Sequence, residues 1–166
     1  MFFWEEKMFK VLLILFLTVF PAFSKTIYFS EEKYIEALGK TFTKKGKISF
    51  LKNKIEIIYS HDNSILTYNG DYLITKKNNK IRKLDLAKKP SVKMFFILFE
   101  AIYFNKKRVL KTYFSRKETK GITQLIPNET ISAYIEGVHF KKNSKKLDFL
   151  DIKLKNKDRI HIEETN

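Results

Sequence analysis

His61, Asp62, Asn63 and Ser64 form the one place in this sequence where a base, an orienting acid and a nucleophile crowd together. Hydrolytic chemistry needs those three types within hydrogen-bond reach, with the base turned toward the nucleophile. Four consecutive residues between strand-like segments read instead as a hairpin turn, where adjacent side chains do not face one another. No catalytic residue is assigned, and the chain is read as a non-enzyme. His139 and His161 fall in strand-like sequence with no cysteine, no HExxH pattern and no carboxylate cluster at ligand spacing, so neither a metal nor another cofactor is expected. Asn128, Glu129 and Thr130 match a glycosylation acceptor by residue type, a three-residue pattern common by chance.

The elements that would position any site follow period two. Ile48 and Phe50, then Ile55, Ile57 and Tyr59, then Ile152 and Leu154, then Ile160 and Ile162 place apolar side chains on one face of successive strands. Turn-forming clusters separate them, among them Asn69-Gly70-Asp71, Asn78-Asn79 and Asn156-Lys157-Asp158. Short strands joined in this way predict an antiparallel meander. Gly46, inside the strand-like segment 40–50, predicts a bend or bulge at a corner of the sheet.

Residues 91–104, SVKMFFILFEAIYF, follow Pro90 and break the alternation. Val92, Phe95, Phe96, Phe99, Ile102 and Tyr103 recur at helical spacing, with Ser91 as the expected N-cap. Met94, Ile97, Leu98, Ala101 and Phe104 make the other face apolar as well. A helix apolar all round is either buried or laid against something apolar that is not always present. A second helical stretch is expected at 108–114, after a break at Asn105.

Residues 11–20, VLLILFLTVF, follow Lys7 and Lys10 and precede Ala22, Phe23 and Ser24. A positive flank, a short apolar run and small residues at the −3 and −1 positions are the parts of a cleavable export signal. The expected layout is a signal peptide at 1–24, cleavage between Ser24 and Lys25, and one domain at 25–166. Met8 is an alternative start, because Glu5 and Glu6 are unusual in a positive flank. The apolar run is shorter than the about 20 residues of a spanning helix; left uncleaved, it would tether the domain to the inner membrane. The net charge of +15 belongs to the part after the signal, where Glu5, Glu6, Lys7 and Lys10 no longer count. Export and the scattering of the lysines argue against a nucleic-acid partner. The excess is read as composition bias and solvated surface, or as attraction to an anionic membrane. With no cysteine the chain has no disulfide and no site for lipid attachment after the apolar run.

A curved sheet with one apolar face, an apolar helix able to cover it and export together suggest a cavity for a lipid. Such binding needs shape and apolar surface rather than a motif. Burial of about 0.8 kcal/mol per methylene makes a chain of about 16 carbons worth on the order of 12 kcal/mol. The expected wall is Phe50, Ile57, Tyr59, Ile74, Phe140, Ile152 and Leu154, closed by Phe95, Phe96, Phe99 and Ile102. A one-residue register error would exchange the inward and outward sets of a strand.

Several segments in order resemble the periplasmic outer-membrane lipoprotein carrier family, LolA-like. Phe29-Ser30-Glu31-Glu32-Lys33 resembles its first-strand F-x-Q-x-K, with Glu31 in place of glutamine. Gly46-Lys47-Ile48-Ser49-Phe50 is similar to its second-strand glycine pattern, and the run from Ser64 to Gly70 looks like its strand and glycine turn. Leu125-Ile126-Pro127 and the three strand-like segments after it resemble the family's ending. The resemblance implies a mainly β fold with short helices, a half-open, strongly twisted antiparallel β-barrel with a helical plug or lid. It implies a monomeric periplasmic carrier of an acylated lipoprotein or lipid cargo, with an inner-membrane donor and an outer-membrane acceptor. It also implies a lid latch where the family has an arginine after the second strand; here Lys52 or Lys54 stands. The competing expectation is a non-transporting envelope β module for assembly, adhesion or membrane-surface binding.

Overall fold

The structure is a computed structural model that describes residues 25–144 and 146–165. The signal expected at 1–24, with Ser24 at its end, lies outside the described residues. Strands β1 (Lys25–Ile35), β2 (Lys40–Leu51), β3 (Lys54–Tyr59), β4 (Ile65–Tyr68), β5 (Tyr72–Lys77) and β6 (Lys80–Asp85) precede two helices, α1 (Pro90–Tyr103) and α2 (Lys107–Tyr113). Strands β7 (Phe114–Thr119), β8 (Ile122–Pro127), β9 (Ile135–Lys142), β10 (Leu147–Leu154) and β11 (Arg159–Thr165) follow.

All these strands join one antiparallel sheet in the order β6-β5-β4-β3-β2-β1-β11-β10-β9-β8-β7. Spatial neighbours are sequence neighbours except where β1 meets β11, from Tyr28 opposite Thr165 to Tyr34 opposite Arg159. Strands β6 and β7 stay unpaired with each other, so the sheet is a half-open barrel, and the chain crosses between its two edges through the helices. Both edges carry charge, Lys80, Arg82 and Lys83 on β6 and Arg116, Lys117 and Glu118 on β7, which discourages pairing with another chain. Asn78 and Asn79, at φ 47° and 59°, make the tight β5–β6 turn; consecutive positive-φ residues match the twist of a hairpin.

Period two sets the core. Ile27, Ile48, Ile57 and Leu66 stand opposite one another in successive strand pairs and form a line across the concave face. Gly46 carries no bulge, because the registers of β2 with β1 and with β3 are unbroken around it. Its role is close approach: a Cβ there would overlap the Ile58 carbonyl oxygen. Such a contact looks like a bulge signal in sequence, since both need a strand glycine.

Helix α1 starts one residue before the expected N-cap. Lys89 precedes it without a side-chain cap and Pro90 fills the first turn, where the missing N–H costs nothing and the fixed φ suits a helix. Ser91 is therefore inside the helix. Phe96, Leu98, Phe99, Ala101, Ile102 and Tyr103 are buried. Phe96 stacks on Tyr68 at 4.5 Å, and Phe50 stacks on Tyr103 at 4.6 Å and on Phe99 at 5.7 Å. Aromatic pairs of this kind add roughly 0.5–1.5 kcal/mol each beyond buried area. Helix α2 ends at Tyr113, and Phe114 already belongs to β7. No described helix is long and apolar enough to cross a membrane.

Candidate ligand cavity

Between the concave face and the first turns of α1 lies a cavity of about 300 Å³. Phe29, Ile48, Ile57, Leu66 and Leu73 form its wall on one half of the sheet, and Ile152, Leu154, Ile160 and Ile162 on the other. Val92, Phe95, Phe96 and Phe99 form its roof.

Of the residues expected in the wall, Ile57, Tyr59, Ile152, Leu154, Phe95, Phe96 and Phe99 border this space. Ile74 does not. Its neighbour Leu73 pairs with buried Tyr68 and faces inward, so β5 is one residue out of the expected phase. Tyr72-Leu73-Ile74 is apolar at every position, which leaves its phase open in sequence. Phe50 belongs to the packed aromatic cluster with Phe99, Tyr103 and Phe104 rather than to the wall. Ile102 and Phe140 border a separate cavity of about 440 Å³ that also takes in Arg116, Glu118 and Lys142. Helical spacing put Ile102 with Phe95 and Phe99, but it lies further along α1, beyond the end of the first cavity.

One end of the cavity is polar. Strand β1 turns Glu31 and Lys33 to the same face as Ile27 and Phe29, and both border the space. The Tyr59 hydroxyl donates a 2.9 Å hydrogen bond to Glu31, and the Lys44 ammonium lies 4.7 Å from the centre of the Tyr59 ring. Burial, reinforced by the Glu31 charge, pushes the Tyr59 phenol far above its usual range. Alternation along Ile27, Phe29, Glu31 and Lys33 was the signal available in sequence; the charges of Glu31 and Lys33 masked it.

The latch is not where the resemblance implies it. Lys52 lies in the β2–β3 turn, and Lys54 pairs at 3.8 Å with Glu56 on its own strand. The lysine that reaches α1 is Lys142 of β9, whose ammonium donates to the Tyr103 carbonyl and, at 3.4 Å, to that of Ile102. These carbonyls end the helix and carry its negative pole, so a cation there is favoured. Burial, and then the nearby Lys25 charge, holds the Lys142 ammonium below the usual lysine range.

The groups singled out for chemistry have structural partners. Asp62 pairs with Lys77 at 2.6 Å and accepts the Ser64 backbone N–H at 3.1 Å. Hydrogen bonds from Lys77 and Ser64 hold its carboxyl well below the usual range. His61 sits 3.4 Å from Asp62 on an exposed turn, and Asp62 is thus committed to a lysine rather than aligned behind a nucleophile. His161 bonds Asp151 at 2.6 Å and Glu163 at 3.1 Å, at a strand position opposite in phase to Ile160 and Ile162. His139 stands opposite Asp151 on β9. The Asn128 side chain donates to the Thr112 carbonyl at 2.8 Å and accepts from the Thr130 N–H at 3.2 Å, which builds the turn after β8.

The fold and cavity describe a half-open antiparallel barrel with a helix-roofed apolar interior. No family model matches the chain and no curated protein matches it. Among solved structures, a crystal structure of a LolA superfamily protein from Nitrosomonas europaea is similar, with a TM-score of 0.44 and 7% sequence identity over 89% of this chain and 86% of that one.

Proposed function

We propose that the protein is a periplasmic carrier that takes acyl chains of a lipid or lipoprotein into the barrel and passes them toward the outer membrane, without catalysis. The observation that carries this reading is the cavity of about 300 Å³ walled by aliphatic strand residues and roofed by Phe95, Phe96 and Phe99. Its size is at the lower end of the range of small-ligand sites, about 300–1,000 Å³. A whole acyl chain therefore needs the roof to shift.

The roof is built for this. Val92, Lys93, Met94 and Phe95 are only half-buried, whereas Phe99, Ala101, Ile102 and Tyr103 are buried and Lys142 holds the last carbonyls. The first turns of α1, held to β4 through the Phe96–Tyr68 stack, are the less buried part and the part that swings out in this reading while the end stays anchored. A plug that refills the empty cavity lowers net affinity below the full burial energy, which allows cargo to be released. The export signal that the sequence leads one to expect at 1–24 supports a periplasmic site of action; a monomer passing cargo from an inner-membrane donor to an outer-membrane acceptor is part of the same proposal.

The test is native mass spectrometry of protein isolated from the envelope, with extraction and identification of bound lipid. Acyl lipid that co-purifies and stabilises the fold supports the reading. Repeated absence of lipid, together with no thermal stabilisation by an added lipopeptide, would sink it.

A further inference from the structure

The cavity wall is apolar except at its Glu31 and Lys33 end, where Lys44, over the Tyr59 ring, adds one positive charge beyond the Glu31 and Lys33 balance. Glu31 accepts the Tyr59 hydroxyl and stands opposite Lys44 in the β1–β2 register; Lys33 adds a second cation at the same wall. The positive sign continues around the sheet. Leu66 of the wall pairs directly with Thr75, which opens a groove of about 250 Å³ lined also by Lys77, Asn78, Lys80 and Arg82. No carboxylate lines this groove among the described residues, although Lys77 is paired with Asp62 at 2.6 Å. Among the described residues Lys80 and Arg82 have no ion pair, and both are exposed. The apolar chamber and the groove thus lie one cross-strand pair apart, and two of the groove's three cations, Lys80 and Arg82, have no ion pair among the described residues.

We infer that the cargo is an anionic amphiphile, whose phosphate or carboxylate head lies against Lys80 and Arg82, beside the Asp62-paired Lys77. The inference rests on the acyl-cavity reading above and adds the charge of the head. Arg82 supplies a planar donor fork suited to phosphate or carboxylate oxygens, and the lysines supply point charges. A zwitterionic head brings an ammonium against the same cations and loses that advantage.

The experiment titrates the delipidated protein with lysophosphatidylglycerol and lysophosphatidylcholine of identical acyl chain, each below its micellar concentration. The glycerol head is expected to bind about tenfold more tightly, in line with a few partly screened charge contacts. The triple variant Lys77→Gln, Lys80→Gln, Arg82→Gln is expected to lose that preference and keep its affinity for the choline lipid. Inorganic phosphate alone is expected not to displace either lipid, and Leu66→Trp, which fills the chamber, is expected to weaken both. Equal affinities, or a preference that survives the triple variant, would overturn the inference and leave the acyl cavity standing. Binding of the glycerol lipid at full strength by Leu66→Trp would reassign the cations to surface attraction, and displacement by phosphate would reassign them to a free anion; either overturns it. If wild-type protein binds neither lipid, the acyl-cavity reading itself fails and takes the inference with it.

Discussion

The Tyr59 hydroxyl donates to the Glu31 carboxylate at 2.9 Å inside a chamber whose other walls are almost wholly apolar. Tyr59→Phe removes the donor and leaves a half-buried carboxylate with Lys44 as its neighbour. Losing a hydrogen bond to a charged group costs about 1.5–3 kcal/mol, less here because Lys44 remains. The expected result is a melting temperature lower by about 4 °C, read by circular dichroism. An unchanged melting temperature would mean that the bond contributes nothing net.

Gly46 and Gly137 provide a matched pair. Gly46 is buried and has no room for a Cβ beside the Ile58 backbone, whereas a Cβ at Gly137 meets nothing within 4 Å. Gly46→Ala must push β3 away from β2 and is expected to cost more than about 3 kcal/mol, in the range of severe core disruption. Gly137→Ala is expected to fall within about 0.5 kcal/mol of wild type. Urea unfolding of both variants checks this, and a mild Gly46→Ala would show that the strands separate easily at that point.

The sequence carried the strands and the long helix because alternation and helical spacing are strong in them. Ile48, Ile57, Ile152 and Ile160 sit in clean alternation, and their inward face followed. Phase was lost at Leu73 and Ile74, where consecutive apolar residues support either register and only the pairing with Tyr68 decides. Charge hid Glu31 and Lys33, because an inward polar residue breaks the pattern that identifies the inward face. Lys142 was out of reach for a different reason: its bond to Ile102 joins β9 to the end of α1 across 40 positions, and no local signal records a pairing at that range. The β1–β11 closure is long-range in the same way.

Phe95 and Phe99 stack at 6.1 Å but play different parts. Phe99 is buried in the aromatic core on Phe50, while Phe95 is half-buried at the roof. Phe99→Ala is expected to cost about 3–5 kcal/mol of stability. Phe95→Ala is expected to cost about 1 kcal/mol or less, since it sits beside existing space, and to alter lipid affinity instead. Parallel melts and lipid titrations separate the two; a Phe95→Ala loss as large as that of Phe99→Ala would show that the roof is rigid core.

His161 gives a pH dependence of known sign. Burial works against its charged form, but the hydrogen bonds it makes to the Asp151 and Glu163 carboxylates outweigh it and raise the imidazole above its ordinary value. A group whose folded value is raised binds more protons in the native state, so its stabilisation is present in acid and lost as pH rises through the folded value. Stability is therefore expected to fall from about pH 6.5 upward relative to His161→Gln, which lacks this slope. The difference is small, because the side chain is 34% exposed. Chemical unfolding of the two proteins across the same pH series checks it, and a difference that grows with pH would reverse the assignment.

Lys142 ties the end of α1 to β9, and this tie decides which part of the helix can move. Lys142→Met keeps the apolar stem but leaves the Tyr103 and Ile102 carbonyls without their cation. The favourable helix-end interaction, about 0.3–1 kcal/mol at such sites, is lost while the cost of a half-buried ammonium is relieved. Global stability is therefore expected to change by less than about 1 kcal/mol. Local behaviour should change more: amides of residues 98–104 are expected to exchange faster, with the strands unaffected. Under the carrier reading a helix loose at both ends no longer swings about a fixed point, so bound lipid should dissociate faster at similar stability. Hydrogen exchange by mass spectrometry and a lipid off-rate on the same variant test both halves. Faster exchange confined to residues 90–95 would place the anchor at the wrong end of the helix.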